Sequence, residues 1–108
     1  MKGRVYLSGK ITGLPMEEVE KKFSEAEDFF KKKGYEVENP LKISPYKEGK
    51  QWHEYMMEEL PVLIECDAIA LLDDIENCKS AGMIVECIFA SQMKKIVLKR
   101  HEDGGFYL

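Results

Sequence analysis

The chain has 108 residues, 44% of them hydrophobic and 33% charged; these are the proportions of an ordinary globular protein, and residues 1–108 are read as a single domain. Sixteen basic against twenty acidic residues give a formal net charge of -4, which argues against a nucleic-acid partner, since binding that backbone calls for a basic face. No apolar run approaches the roughly 20 residues that span a bilayer, and MKGRVYLSG lacks the apolar region and small-residue cleavage site of a signal peptide, so no membrane partner and a cytoplasmic location are expected.

In chain order, Arg4 to Ser8 (RVYLS) is a short apolar and aromatic run that stops at a glycine, the pattern of a first strand buried on both faces. The following GKITGLP carries Gly9 and Gly13, and a glycine-bearing turn after a first strand is where many α/β folds bring backbone amines near a ligand. It contains neither GxGxxG nor the phosphate-loop lysine pattern, so no dinucleotide fingerprint is supported. From Met16 to Lys33, Val19, Phe23, Ala26 and Phe30 recur at helical spacing, with glutamates early and lysines late, and Gly34 closes the helix. Tyr35 to Glu38 reads as a second strand ended by Asn39-Pro40. PLKISPYKEGKQ is then expected to be a loop, long enough to close over a ligand.

Trp52 to Glu65 has the pattern of a second helix, which Pro61 is expected to kink or restart. Asp67 to Leu72 is a continuous apolar run of strand length, read as a buried central parallel strand. Ser80 is placed to cap a helix through Met93, Lys95 to Lys99 reads as a fourth strand, and HEDGGFYL is either frayed or one more edge strand.

Within the last helix, every residue from Ala81 to Ala90 other than Glu86 is small or apolar, which predicts a helix buried nearly all round. A carboxylate there either sits at the helix edge, paired with Lys94, Lys95 or a backbone amine, or is held in an apolar site that tunes its proton affinity. Cys66, Cys78 and Cys87 form no CxxC pair, and an odd count points to reduced thiols. His53 and His101 lie far apart with no second ligand at metal spacing, so no metal site is predicted.

Alternating strands and helices predict an α/β fold of flavodoxin-like or Rossmann-like kind, a three-layer sandwich with a four- to five-stranded parallel sheet. Ligands in such sheets bind beyond the carboxyl ends of the strands at a switch point. The ends of the first and third strands, Ser8-Gly9 with Lys10 and Ile11, and Asp73-Asp74, are therefore expected to converge with the start of the Glu86 helix.

Four pieces in this order, VYLSGKITG, ENP, CDAIALL and SAGMIVECIFA, resemble the nucleoside 2-deoxyribosyltransferase-like superfamily. The likeness is to its short members of the DUF4406 type and to the deoxynucleoside 5'-monophosphate N-glycosidases, and it covers about residues 4 to 99. The resemblance implies that Glu86 is the nucleophile that attacks the anomeric carbon, that Tyr6 positions it, and that an acid on the preceding helix protonates the departing base. Glu59 falls at that last point, where the family usually has aspartate. Ser80 and Gly82 match the turn that holds a sugar hydroxyl or 5'-phosphate, with Gly9 and Ile11 on the opposite wall. Lys10 stands where short relatives often carry proline, and Thr12 where the monophosphate hydrolases carry a basic residue.

The chemistry is coherent, because a carboxylate nucleophile splits one hard displacement into two easier ones through a glycosyl-enzyme intermediate, without metal or redox cofactor. Bland readings stand beside these roles: Tyr6 as a core aromatic, Ser80 as a cap, Gly82 as a close-packing residue, Glu59 as surface charge. The expected partner is a small nucleoside or nucleotide. A nucleotide-binding module without turnover is the alternative, while a flavin carrier has little support because GKITGLP is poor in serine and threonine. Apolar surface on the Trp52 and Ala81 helices, together with relatives that complete each active site with a neighbouring subunit, predicts a homodimer or higher homo-oligomer.

Overall fold

The computed structural model describes residues 3–108. Strand β1 (Arg4–Ser8) is followed by helix α1 (Met16–Lys32), whose first turn is acidic and whose last turn is basic, as the helix dipole favours. Val19, Phe23, Ala26 and Phe30 form its buried stripe, and Gly34 ends it in the left-handed region at φ +91°. Next come β2 (Glu36–Glu38) and a one-turn helix, α2 (Pro40–Ile43), inside the stretch expected to be loop. Local chemistry accounts for it: the Asn39 side chain accepts from Leu41 N at 3.0 Å, and Pro40 occupies the first turn, where its missing N–H costs nothing.

Helix α3 (Trp52–Ile64) runs through Pro61 as one element and is not restarted there. Proline removes one bond near the end of the helix, and Leu63 beyond it is fully buried, so packing offsets that loss. Then follow β3 (Ala68–Leu71), buried at every residue, and α4 (Ile75–Cys78), capped by Asp74 and ended by Lys79 at φ +50°. Helix α5 (Ala81–Gln92) has Ser80 Oγ accepting from Met83 N at its start. The chain closes with β4 (Ile96–Arg100) and β5 (Phe106–Tyr107).

These elements form a mixed α/β globule around one five-stranded sheet of order β2-β1-β3-β4-β5. Four strands are parallel, with Tyr6 opposite Glu38 on one side and Ile69 on the other. The fifth departs from the all-parallel expectation, since Lys99 pairs with Tyr107 antiparallel. The reason is reach: Gly104 at φ +85° makes a tight turn closed by His101 N to Gly105 O, and so short a connection cannot make the crossover a parallel pair needs.

Val5, Leu7, Ala68 and Ala70 pack with Val19, Phe23 and Phe30 of α1, while Tyr6, Ile69 and Leu71 pack with Leu63 of α3 and Met83 and Ala90 of α5. Alternation along β1 and β3 thus supplies two apolar faces. Helix α5 is not buried all round, as its composition suggested: Met83, Glu86 and Ala90 face inward, but Ile88 is 58% exposed. Ile84, and Met57 and Ile64 of α3, are exposed too. No helix of the described residues is long and apolar enough to cross a membrane.

Candidate active site: a carboxyl pair beside the inner strands

The chain enters the sheet at β1, moves to β2, then crosses back to β3 on the other side of β1. That reversal leaves a crevice beyond the ends of β1 and β3. Gly9 turns the chain there under tight constraint, because a Cβ in its place would lie 3.1 Å from Asp73 Oδ2, 3.1 Å from Leu72 Cβ and 3.2 Å from Phe23 Cζ. The Asp73 carboxylate accepts from Lys10 N at 2.8 Å and from Lys22 Nζ at 2.6 Å, locking the two loops together.

Beside this junction opens a cleft of about 760 Å³. Its walls are the loop from Gly9 to Met16, a strap from Ser44 to Lys50, the inner face of α3 and the first turns of α5. Glu59 comes from α3 and Glu86 from α5; both are almost fully buried and both line the cleft. Behind them stands Tyr6, fully buried, its hydroxyl 2.5 Å from Glu86 Oε2 and 3.2 Å from Glu59 Oε1. Ser8 donates from the same strand face to Glu86 Oε1 at 2.7 Å. The two-residue spacing of Tyr6 and Ser8 thus aims both hydroxyls at one carboxylate, as period-2 geometry requires.

The electrostatics follow from this packing. Burial raises the Glu59 carboxyl first, and the neighbouring Glu86 charge and a hydrogen bond between the two carboxyls raise it further, to about 8, against the lowering influence of Tyr6 and Lys50. Burial also raises Glu86, and its shift stays upward overall although hydrogen bonds from Tyr6, Ser8 and Glu59 favour its ionised form. Like charges in a dry site cannot both ionise cheaply. The pair is therefore built to share a proton, and the two hydroxyl donors favour the negative charge on Glu86 over Glu59. Burial, then the two carboxylates, push the Tyr6 hydroxyl upward, so it stays a donor.

Residues 3–99 match the family model described as a domain of unknown function, DUF4406. The chain belongs to the DUF4406 family. No curated protein matches it. The matched span of this DUF4406 chain contains the whole carboxyl pair, both hydroxyls and the cleft walls.

Against the sequence expectations, the fold brings Tyr6, Glu59 and Glu86 together, with Gly9, Ile11, Ser80 and Gly82 on the cleft walls. It does not bring Ser8, Lys10 or Asp73 to the lining. Ser8 is fully buried against Glu86. Lys10 and Asp73 are joined to each other and to Lys22, with the Lys10 carbonyl accepting from Lys22 Nζ at 2.9 Å. Lys95, one of the edge partners considered for Glu86, is elsewhere too: its Nζ donates to Ile64 O at 2.7 Å. Among the described residues, no group of three or more histidine, cysteine, aspartate or glutamate side chains could hold a metal.

One contributor, Ser8, was expected at the ligand and serves Glu86 instead, and one, Lys50, was missed. Ser8 as a donor to Glu86 follows from strand parity with Tyr6, a signal that was present. Lys50, which reaches the cleft from the strap, had none: nothing in the spacing of KEGKQ separates it from Lys47.

Proposed function

We propose that the chain cleaves or exchanges the N-glycosidic bond of a nucleoside or nucleoside 5'-monophosphate, as a member of the nucleoside 2-deoxyribosyltransferase-like superfamily with a three-layer, flavodoxin-like arrangement. The observation that carries this reading is the Glu59–Glu86 pair: two buried carboxyls on a cleft wall, sharing a proton, with neither in an ion pair among the described residues. Such a pair supplies a nucleophile and an acid at one place, and environments that push two titratable groups apart mark acid and base roles.

Glu86 attacks the anomeric carbon, forming a carbon–oxygen bond as the carbon–nitrogen bond breaks, and the base nitrogen takes the Glu59 proton. Water, or the nitrogen of a second base, then attacks the same carbon, gives its proton to Glu59 and releases Glu86. Tyr6 and Ser8 hold the nucleophile's oxygens. Ser80 and the early N–H groups of α5 offer donors to a sugar hydroxyl or phosphate, a placement the helix dipole favours. The test is chromatography of base released from a panel of nucleosides and nucleoside monophosphates, with and without an acceptor base; no turnover across the panel by the wild type would remove the reading.

A second reading, a nucleotide-binding module without turnover, is favoured by one observation. One hydroxyl, that of Tyr6, reaches both carboxyls, at 2.5 and 3.2 Å, whereas retaining glycosidases leave the scissile bond between theirs. Saturable heat of binding in calorimetry without base release would select it. The exposed apolar residues of α3 and α5, Met57, Ile64, Ile84 and Ile88, further support self-association into a homodimer or larger oligomer; a sedimentation profile that stays monomeric as concentration rises would exclude that.

A further inference from the structure

Lys50 is the one lysine or arginine among the described residues that line the cleft. Its side chain is 10% exposed, and an ammonium so nearly buried needs close partners. It has three. It donates to Ser44 Oγ at 2.8 Å, forms an ion pair with Glu58 Oε1, and lies 4.4 Å from the centre of the Tyr55 ring. Ser44, itself buried, donates to the same Glu58 oxygen at 3.0 Å, and Lys47 N donates to the Tyr55 hydroxyl at 3.2 Å. The strap from Ser44 to Lys50 is thus tied along its length to α3, the helix that carries Glu59.

Glu58 and Glu59 are consecutive, and consecutive side chains on a helix point in different directions. Glu58 turns out to the strap and stays 47% exposed; Glu59 turns in to the cleft. The charged and titratable groups that face Glu59 are Tyr6 from β1, Glu86 from α5 and Lys50 from the strap, with Glu58 beside it on its own helix, and Glu20 of α1, Tyr46 of the strap and Tyr55 of α3 also lining the cleft. Of these, Lys50 is the cation, and Glu58 is its counter-charge.

We propose that Lys50 is a positioning residue for the reaction's acid, and that its ion pair with Glu58 sets how firmly Glu59 holds the proton it delivers to the departing base. This rests on the assignment of Glu59 as that acid. A bare ammonium at the cleft wall would favour the ionised form of Glu59 and empty the acid; neutralised by Glu58, the same ammonium anchors the strap and leaves the proton in place. Glu58, half in water, supplies that neutralisation without becoming a second buried charge.

The experiment is a pH titration of the Glu59 side-chain carboxyl by carbon-13 NMR in the full chain, its resonance assigned by its loss in Glu59→Gln. Glu58→Gln is expected to move the midpoint down by about one pH unit, and Lys50→Met to move it up by a similar amount, the scale on which a unit charge on a neighbouring side chain acts at an effective dielectric constant of about 20. Lys50→Arg keeps the charge and is expected to titrate like the wild type. Shifts of opposite sign are what a merely structural tie would not produce. Midpoints that stay put, that move in the same direction, or that move in Lys50→Arg as in Lys50→Met would overturn the proposal. If Lys50→Met fails to fold, Glu58→Gln decides alone, because it leaves the Lys50–Ser44 bond in place. The titration needs no turnover, so a wild type that releases no base would sink the proposed reaction while leaving the charge coupling standing; unchanged midpoints in an active enzyme would do the reverse.

Discussion

Glu27 and the Glu59–Glu86 pair are buried carboxylates on opposite faces of one sheet, and they behave in opposite ways. Burial raises the proton affinity of all three. At Glu27, on α1, that tendency is overcome by Lys31 Nζ at 2.6 Å, Lys42 Nζ at 2.8 Å and Asn39 Nδ2 at 3.0 Å, which together pull the carboxyl down to about 2. Glu59 and Glu86 have neutral hydroxyls and each other, and Glu59 rises to about 8. Burial is common to both sites; the sign of the nearest partner separates them. Glu27 ties α1 to the Asn39 turn and to Lys42 of α2, so its charge is spent on structure. The carboxyl pair opens on a cleft with one proton to give and one charge to use.

Substitutions at each carboxylate separate the two sites by their effects on activity and on stability. Glu86→Gln is expected to remove base release, by about ten-thousand-fold or more, as loss of a covalent nucleophile does, with the circular dichroism spectrum unchanged. Glu59→Gln should lower base release by roughly a thousand-fold, within the range of a general acid. It should also stabilise the fold at alkaline pH. The sign follows from linkage: Glu59 ionises near 4.5 in the unfolded chain and near 8 in the folded one, so the folded state binds the extra proton and its advantage falls as pH rises through that window. Thermal melts at pH 6 and pH 8.5 should therefore converge in the variant, and a variant as pH-sensitive as the wild type would contradict the assignment.

Tyr6→Phe should cost about a hundredfold in base release, the scale of one lost donor at a charged oxygen, and should raise the proton affinity of Glu86. Smallest in activity is Glu27→Gln, expected to leave base release intact while costing about 2 kcal/mol of stability at pH 7. Its folded-state value lies below the unfolded one, so the contribution is present above about pH 4.5 and fades as pH falls toward 2; denaturant melts at pH 7 and pH 3 would test that. Equal losses of activity from Glu27→Gln and Glu59→Gln would erase the distinction between the two sites.

Residue periodicity and composition were enough for the four parallel strands, the three longer helices and the meeting of the Gly9 loop with Asp73 and the start of α5, whereas the one-turn helices α2 and α4 fell in stretches read as loops. These features rest on local pattern: runs of apolar residues, a stripe at helical spacing, a serine at a helix start. The lone carboxylate of α5 was visible for the same reason. The tertiary structure alone decided that Glu59, 27 positions earlier, lies against Glu86, that Ser8 serves the carboxylate and not the cleft, and that Asp73 is consumed by Lys22 and the Lys10 amide. It also turned β5 antiparallel, left the outer face of α5 uncovered, and carried Lys50 to the cleft. Proton affinity depends on distances through space to charges and donors, and those distances are fixed only when strands and helices far apart in sequence are packed against one another.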